Sequence, residues 1–234
     1  ATVVSQQRSV GKERRVSAEG GLAPGLVTAM VTTDDRGEGK GLWSAPCLAA
    51  GAESWLLGGG GSAGQRSVLL LANPTESDSL VDVTAFGKGG RLEATGDDGV
   101  TVPAGETVPV RLDALVPDSE AVAVRVRTRV GLVAASISDE RMNGLTPMGS
   151  DILTDAGPPQ RTQILAGMPG GAGGRELHLL ASEGKGSVRI TALTENGPLP
   201  LLAADPVAPT ARDRPVSDLP KELDGRPAAR PSGG

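Results

Sequence analysis

With 234 residues, a net charge of −5, one histidine and one cysteine, the chain has room for one large domain or two of about 100 residues, and for no intrachain disulfide. Its only aromatic residues are Trp43, Trp55 and Phe86, so it lacks both the basic stripe and the stacking rings expected of a nucleic-acid binder. Hydrophobic residues make up 38% of the chain, mostly Val, Leu and Ala, and no apolar run reaches the roughly 18 residues that a membrane-spanning helix needs.

The sequence opens Ala1-Thr2-Val3-Val4, with Lys12, Arg14 and Arg15 soon after. Two readings stand: the stub of a removed signal or of an anchor segment missing upstream, or an arbitrary boundary. Residues 1–52 are expected to supply strands of a preceding or completing module. Residues 53–141 read as a complete β-sandwich module. Within it Ser67 to Ala72 is an apolar strand, and Asn73-Pro74-Thr75-Glu76-Ser77-Asp78 a loop. Val81, Val83 and Ala85 alternate with Asp82 and Thr84, as in a half-buried strand. Val102-Pro103-Ala104-Gly105-Glu106 reads as a turn in which Gly105 takes a left-handed conformation. Val122, Val124 and Val126 then alternate with Ala123, Arg125 and Arg127, one dry face and one wet face. Asn143 to Arg161, rich in Gly and Pro, makes residues 142–161 a linker, and 162–230 a second, truncated module. Residues 231–234 form a tail, and Pro206 to Gly234 as a whole is Pro- and Arg-rich with little periodicity, so it is not expected to pack. Helical periodicity is missing, apart from one possible turn at Leu219 to Leu223.

Internal repetition binds these elements together. Gly25 to Arg36 resembles Gly131 to Arg141. Leu56 to Gly58 with its glycine-rich sequel resembles Leu165 to Gly167 with the loop after it. Ser67 to Asn73 parallels Glu176 to Ser182, Val81 to Phe86 parallels Val188 to Leu193, and Gly90 to Leu92 parallels Gly197 to Leu199. The spacing stays near 106–109 residues, about the length of one sandwich domain. The fold class is therefore all-β: tandem immunoglobulin-like β-sandwich modules with Gly/Pro-rich loops. The last module ends near Ala228-Ala229-Arg230, where its predecessor continues through Val124 to Ser138. An open sheet edge is expected to follow, so that either strands around Arg15–Thr33, from this chain or a neighbouring one, fill it, or the chain is a fragment.

Residues with reactive chemistry are few. Gly60-Gly61-Ser62-Ala63-Gly64 matches the nucleophile-elbow pattern, which exposes a serine on a strand-to-helix turn. Here a strand follows instead of a helix, so the match reads as a turn. His178 is the only base for a hydrolase or zinc site, and its repeat counterpart is Leu69, a packing position. The acidic groups Asp34-Asp35, Asp97-Asp98 and Asp139-Glu140 could hold calcium or act as paired carboxylates. None has a ligand spacing, and all read as solvated turns. The glycine stretches Gly58–Gly61 and Gly167–Gly174 do not continue into a phosphate loop. Catalytic, cofactor and metal residues are therefore each expected to be none. Trp43 and Trp55, flanking Cys47, are the candidate ligand contacts, able to stack on sugars or to fill a module junction.

Trp55-Leu-Leu-Gly58, the following glycine loop, Leu69-Leu-Leu-Ala-Asn-Pro74, Val81-Asp-Val83 and Val102-Pro-Ala-Gly105 together resemble an exported actinobacterial family of unknown function. Gly149-Ser-Asp151, Gly167-Met-Pro-Gly170 and Leu219-Pro-Lys-Glu-Leu-Asp-Gly225 fit the same pattern. The resemblance covers about residues 20–204 and 217–229 and implies tandem β-sandwiches behind an N-terminal membrane segment, encoded by genes that often lie beside that of a large membrane glycosyltransferase. It assigns no catalytic residues. The expected role is that of a non-catalytic extracytoplasmic cell-envelope protein, a scaffold or binding module, secreted or membrane-anchored. Its expected partners are a cell-wall glycan or a membrane protein, with no nucleic acid. A carbohydrate-binding accessory module is the alternative, and a hydrolase using Ser62 and His178 a more distant one.

Overall fold

The computed structural model describes residues 16–35, 37, 40–87, 89–92, 99–119, 122–166, 176–182, 186–194, 196–207 and 214–215. The N-terminal basic cluster, Asp97-Asp98, Gly167–Gly174 and the Leu219–Leu223 turn lie outside them. Two strands come first: β1 (Ala29–Asp34) and β2 (Gly41–Pro46), an antiparallel hairpin. The central module holds β3 (Glu53–Leu57), β4 (Gln65–Ala72), β5 (Ser79–Gly87), β6 (Gly90–Arg91), β7 (Val100–Val102) and β8 (Thr107–Arg111). A four-residue helix α1 (Leu112–Leu115) follows, then β9 (Ala123–Val130), β10 (Ala134–Asn143) and β11 (Thr146–Leu153). Further on come β12 (Glu176–Leu177), β13 (Gly186–Thr194), β14 (Gly197–Val207) and β15 (Arg214–Pro215). The chain is thus almost wholly β. The only other helix among the described residues is a 3-10 segment at Gly20–Gly25.

Two antiparallel sheets make the central sandwich. One runs β3-β9-β5-β6, with β7 also on β5, and the other runs β11-β10-β4-β8. Alternation decides which side chains meet between them. Val81 and Ala85 of β5, Val124 and Val126 of β9, Leu69 and Leu71 of β4, and Ala135 and Ile137 of β10 share one buried core. Leu112 and Leu115 bring α1 into that same core. With so few rings, the core is filled by aliphatic side chains and close packing. Two of the module's described loops are held by hydrogen bonds. Buried Asn73 donates from Nδ2 to the carbonyls of Ser77 (2.8 Å) and Val102 (2.9 Å). Gly105 sits at φ +70° in the expected turn, where Glu106 N–H reaches Pro103 O.

The segment 142–161, expected as a linker, holds β11 instead. A two-residue loop, Gly144-Leu145, joins it to β10, with Asn143 facing Thr146 and φ +59° at Gly144. A glycine at the first central position is the standard chemistry of such a hairpin. Beyond β11 the chain covers the free edge of β3: Trp55 N–H donates to Asp155 Oδ1 (2.8 Å), and Ala156 N–H donates to Trp55 O (2.8 Å).

The repeat is visible as structure. β13 is β5 displaced by 107 residues. The hairpin closures match too: Gly87 faces Gly90, and Thr194 faces Gly197. β1 with β2 stands at the repeat position of β10 with β11. Equivalence weakens at β12, which is two residues long where β4 has eight, and residues 162–166, the counterpart of β3, form no strand.

Candidate functional site

Among the described residues, the outer face of the five-stranded sheet brings polar and aromatic side chains together. β9 reads Ala123-Val-Arg-Val-Arg-Thr-Arg-Val130. With Val124 and Val126 buried inward, a period of two sends Arg125, Arg127 and Arg129 outward. Their neighbours follow from the ladders. Arg125 lies between Trp55 and Thr84, and Arg127 between Glu53 and Asp82. Arg125 Nε reaches Glu53 Oε1 at 2.5 Å, and its guanidinium lies 5.1 Å from the centre of the Trp55 ring, within cation–π range. Trp55 in turn meets Phe86, centroids 6.0 Å apart and planes 30° apart. Arg129 grips Asp82 with two nitrogens, at 2.5 Å and 2.9 Å.

Three guanidinium groups thus face two carboxylates, with Arg127 exposed between both. The arrangement can attract anionic or hydroxyl-rich ligands, but it contains no nucleophile. Asp82 is held below the ordinary carboxylate value, chiefly by the hydrogen bond from Arg129, with desolvation opposing and the charges of Arg129 and Arg127 assisting. A folded value below the unfolded one stabilises the protein above the ordinary value of 3.8, and that stability is lost as pH falls through the folded value. Asp82→Asn is therefore expected to shrink the stability gap between neutral and acid pH. At neutral pH the change should stay within about 1 kcal/mol, as for other exposed pairs. Urea unfolding of both proteins at about pH 7 and pH 3 measures it.

Trp55 is 7% exposed. Phe86 and Arg125 lie against its ring, and its indole Nε1 is buried with no hydrogen-bond partner among the described residues. The packing of Trp55 against Phe86 and Arg125 is that of a side chain filling a junction. Trp43 is half-buried on β2, in a different sheet. Sequence reasoning missed Glu53, Asp82, Phe86 and Arg129 as members of one group. The Val-Arg alternation of β9 was the signal for the arginines.

A second polar cluster lies inside the molecule. Asp139, expected in a solvated turn, is 5% exposed within β10. It accepts from Ser67 Oγ (2.5 Å), Gln65 Nε2 (3.0 Å) and Arg141 Nε (3.0 Å). Burial is tolerated because these donors replace water. Gly60 N–H donates to the same Ser67 hydroxyl at 2.9 Å, so the cluster anchors the glycine-rich loop. Ser62 lies in the turn that leads into β4, its hydroxyl 3.5 Å from Gln65 Oε1, with no helix after it. His178 is half-buried just past β12, and Cys47 is exposed. Asp34 ends β1 and Asp35 follows it, both exposed. Among the described residues no three His, Cys, Asp or Glu side chains gather as a metal site, and no helix is long and apolar enough to cross a membrane.

The model of a family described as "Family of unknown function (DUF5719)" matches residues 2–220. The chain belongs to this family. No curated protein matches the DUF5719 chain. Among solved structures, it is similar to one described as "Crystal Structure of Thermotoga maritima 1070", at 16% identity over 45% of this chain and 95% of that one, TM-score 0.35. It is also similar to the Anabaena sensory rhodopsin transducer, at 18% identity over 38% of this chain and 98% of that one, TM-score 0.31.

Proposed function

We propose that this DUF5719 chain is a non-catalytic, exported actinobacterial protein that works outside the membrane as a scaffold or binding module of the cell envelope. The observation that carries this reading is how its polar and aromatic groups are used. Asp139 is taken by three donors, Ser62 sits in a turn before a strand, and Trp55 is buried beneath Arg125. Among the described residues these groups bond within the β modules, and the outer face of β9 presents Arg125, Arg127 and Arg129. That face suits an anionic polymer or protein of the envelope.

The test is to express the natural full-length gene with an epitope tag, fractionate the cells, and add protease from outside. The tagged protein should sediment with the envelope and be cleaved in intact cells. Recovery in the cytosol, protected from protease, would refute the reading. Sedimentation of the purified chain with isolated cell walls tests the binding face, and Arg127→Glu should weaken it several-fold. If Trp43→Ala abolishes binding while Arg127→Glu leaves it intact, the sugar-binding alternative replaces the arginine face.

A further inference from the structure

The indole Nε1 of Trp55 is buried and has no hydrogen-bond partner among the described residues. Buried N–H groups are nearly always paired, so an orphan of this kind calls for an acceptor from outside the chain. Its place in the fold says where that acceptor comes from. Leu56, the next residue on β3, belongs to the core, so Trp55 projects from the opposite, outer face of the sheet. Ala123, between Trp55 and Phe86 on that face, is small enough to let the two rings meet across it. The Arg125 guanidinium lies over the face of the indole ring, and the N–H leaves the ring at its edge.

Positive charge surrounds this donor. The strands of the sheet carry four arginines, Arg91, Arg125, Arg127 and Arg129, against two carboxylates, Glu53 and Asp82. Four minus two leaves an excess of two positive charges. Arg91 is exposed and faces Phe86 across the β5–β6 pairing. Arg125 holds Glu53, and Arg129 holds Asp82. Arg127 is exposed in the ladder between those two acids, about 7 Å along the strand from Arg125. Arg125 and Glu53 are both partly exposed, so their pair can open at little cost.

We propose that Trp55 Nε1, Arg125 and Arg127 together bind a phosphate group. The proposal rests on the anion-binding reading of this face given above and names the group recognised. A phosphate has three acceptor oxygens, enough for two guanidiniums and the indole N–H at once. A carboxylate has two. Guanidinium forks match phosphate geometry. On binding, Arg125 exchanges Glu53 for the phosphate and lifts from the ring, which gives one oxygen access to the indole edge. Arg127 closes the other side.

Proton–nitrogen correlation NMR of the isotope-labelled chain follows the indole N–H directly, and Trp43→Phe leaves Trp55 as the only tryptophan. Inorganic phosphate, glycerol phosphate and acetate are titrated separately at constant ionic strength. The Trp55 indole signal should move and saturate with phosphate groups. Arg127→Gln should weaken the apparent affinity about tenfold and leave the remaining signals in place. Both substances are phosphate groups: a response to the free ion alone marks an ion site, and a response to the ester marks a group carried on a larger molecule. An indole signal unmoved by either, or moved equally by acetate, overturns the proposal, as does Arg127→Gln titrating like its parent. If Trp43→Phe does not fold, the two indole signals of the unaltered chain carry the same test: one must move, and Arg127→Gln must suppress it. Failure here leaves the fractionation experiment above untouched, whereas recovery of the protein in the cytosol removes the envelope reading and not the phosphate site.

Discussion

Replacing Ile137 with alanine is expected to destabilise the protein by about 3 kcal/mol, while Val31→Ala at the equivalent repeat position changes stability by less than about 0.5 kcal/mol. Ile137 is fully buried between the two sheets and faces Leu69 across the β10–β4 ladder. Truncating it leaves a void among aliphatic neighbours that the paired strands cannot close, so both transfer energy and packing are lost. Val31 has the same place in the sequence pattern but is 67% exposed, so little is removed from a protected environment. Urea unfolding of the two variants separates the cases. Equal shifts would mean that β1 is buried in solution, or that the core of β10 is looser than its packing indicates.

Gly61→Ala is expected to cost a similar amount, about 3 kcal/mol. A Cβ at Gly61 would lie 2.7 Å from both Asp113 Cα and Val116 O. Both obstacles are backbone, so no side-chain rotation relieves the clash. The loop must move away from α1, or α1 must move and withdraw Leu112 and Leu115 from the core. Gly21 is the control, because nothing lies within 4 Å of a Cβ there, and its replacement by alanine should leave thermal unfolding nearly unchanged. If the two variants melt together, the tight seat of the glycine loop is wrong.

Much of the fold was legible because the chain's alternation is strong where strands are central. Val81-Asp-Val-Thr-Ala and Val122 to Arg127 announce both the strand and its buried face, and the same pattern a period later marks β13. β11 was not legible. Pro147 and Gly149 lie within it, and both residues ordinarily argue against a strand. It is tolerated as the edge of its sheet, where a missing N–H costs no ladder bond. The Gly144-Leu145 loop carried a hairpin signal that the glycine- and proline-rich surroundings obscured. At the site, the outward arginines could be read from periodicity, but the burial of Trp55 and Asp139 could not. Both depend on partners far along the chain, Asp155 and Phe86 for one, Gln65 and Ser67 for the other.

The bond between Trp55 and Asp155 joins residues 100 positions apart. The edge of the first sandwich strand is therefore sealed by almost the last part of the module to be synthesised. Until that part emerges from the ribosome, the strand stays bare and the module unfinished. Contacts so distant along a chain close slowly, in milliseconds to seconds for all-β topologies, which leaves nascent protein exposed to misassociation during that interval. A cell making this chain gains from completing that stretch without a pause.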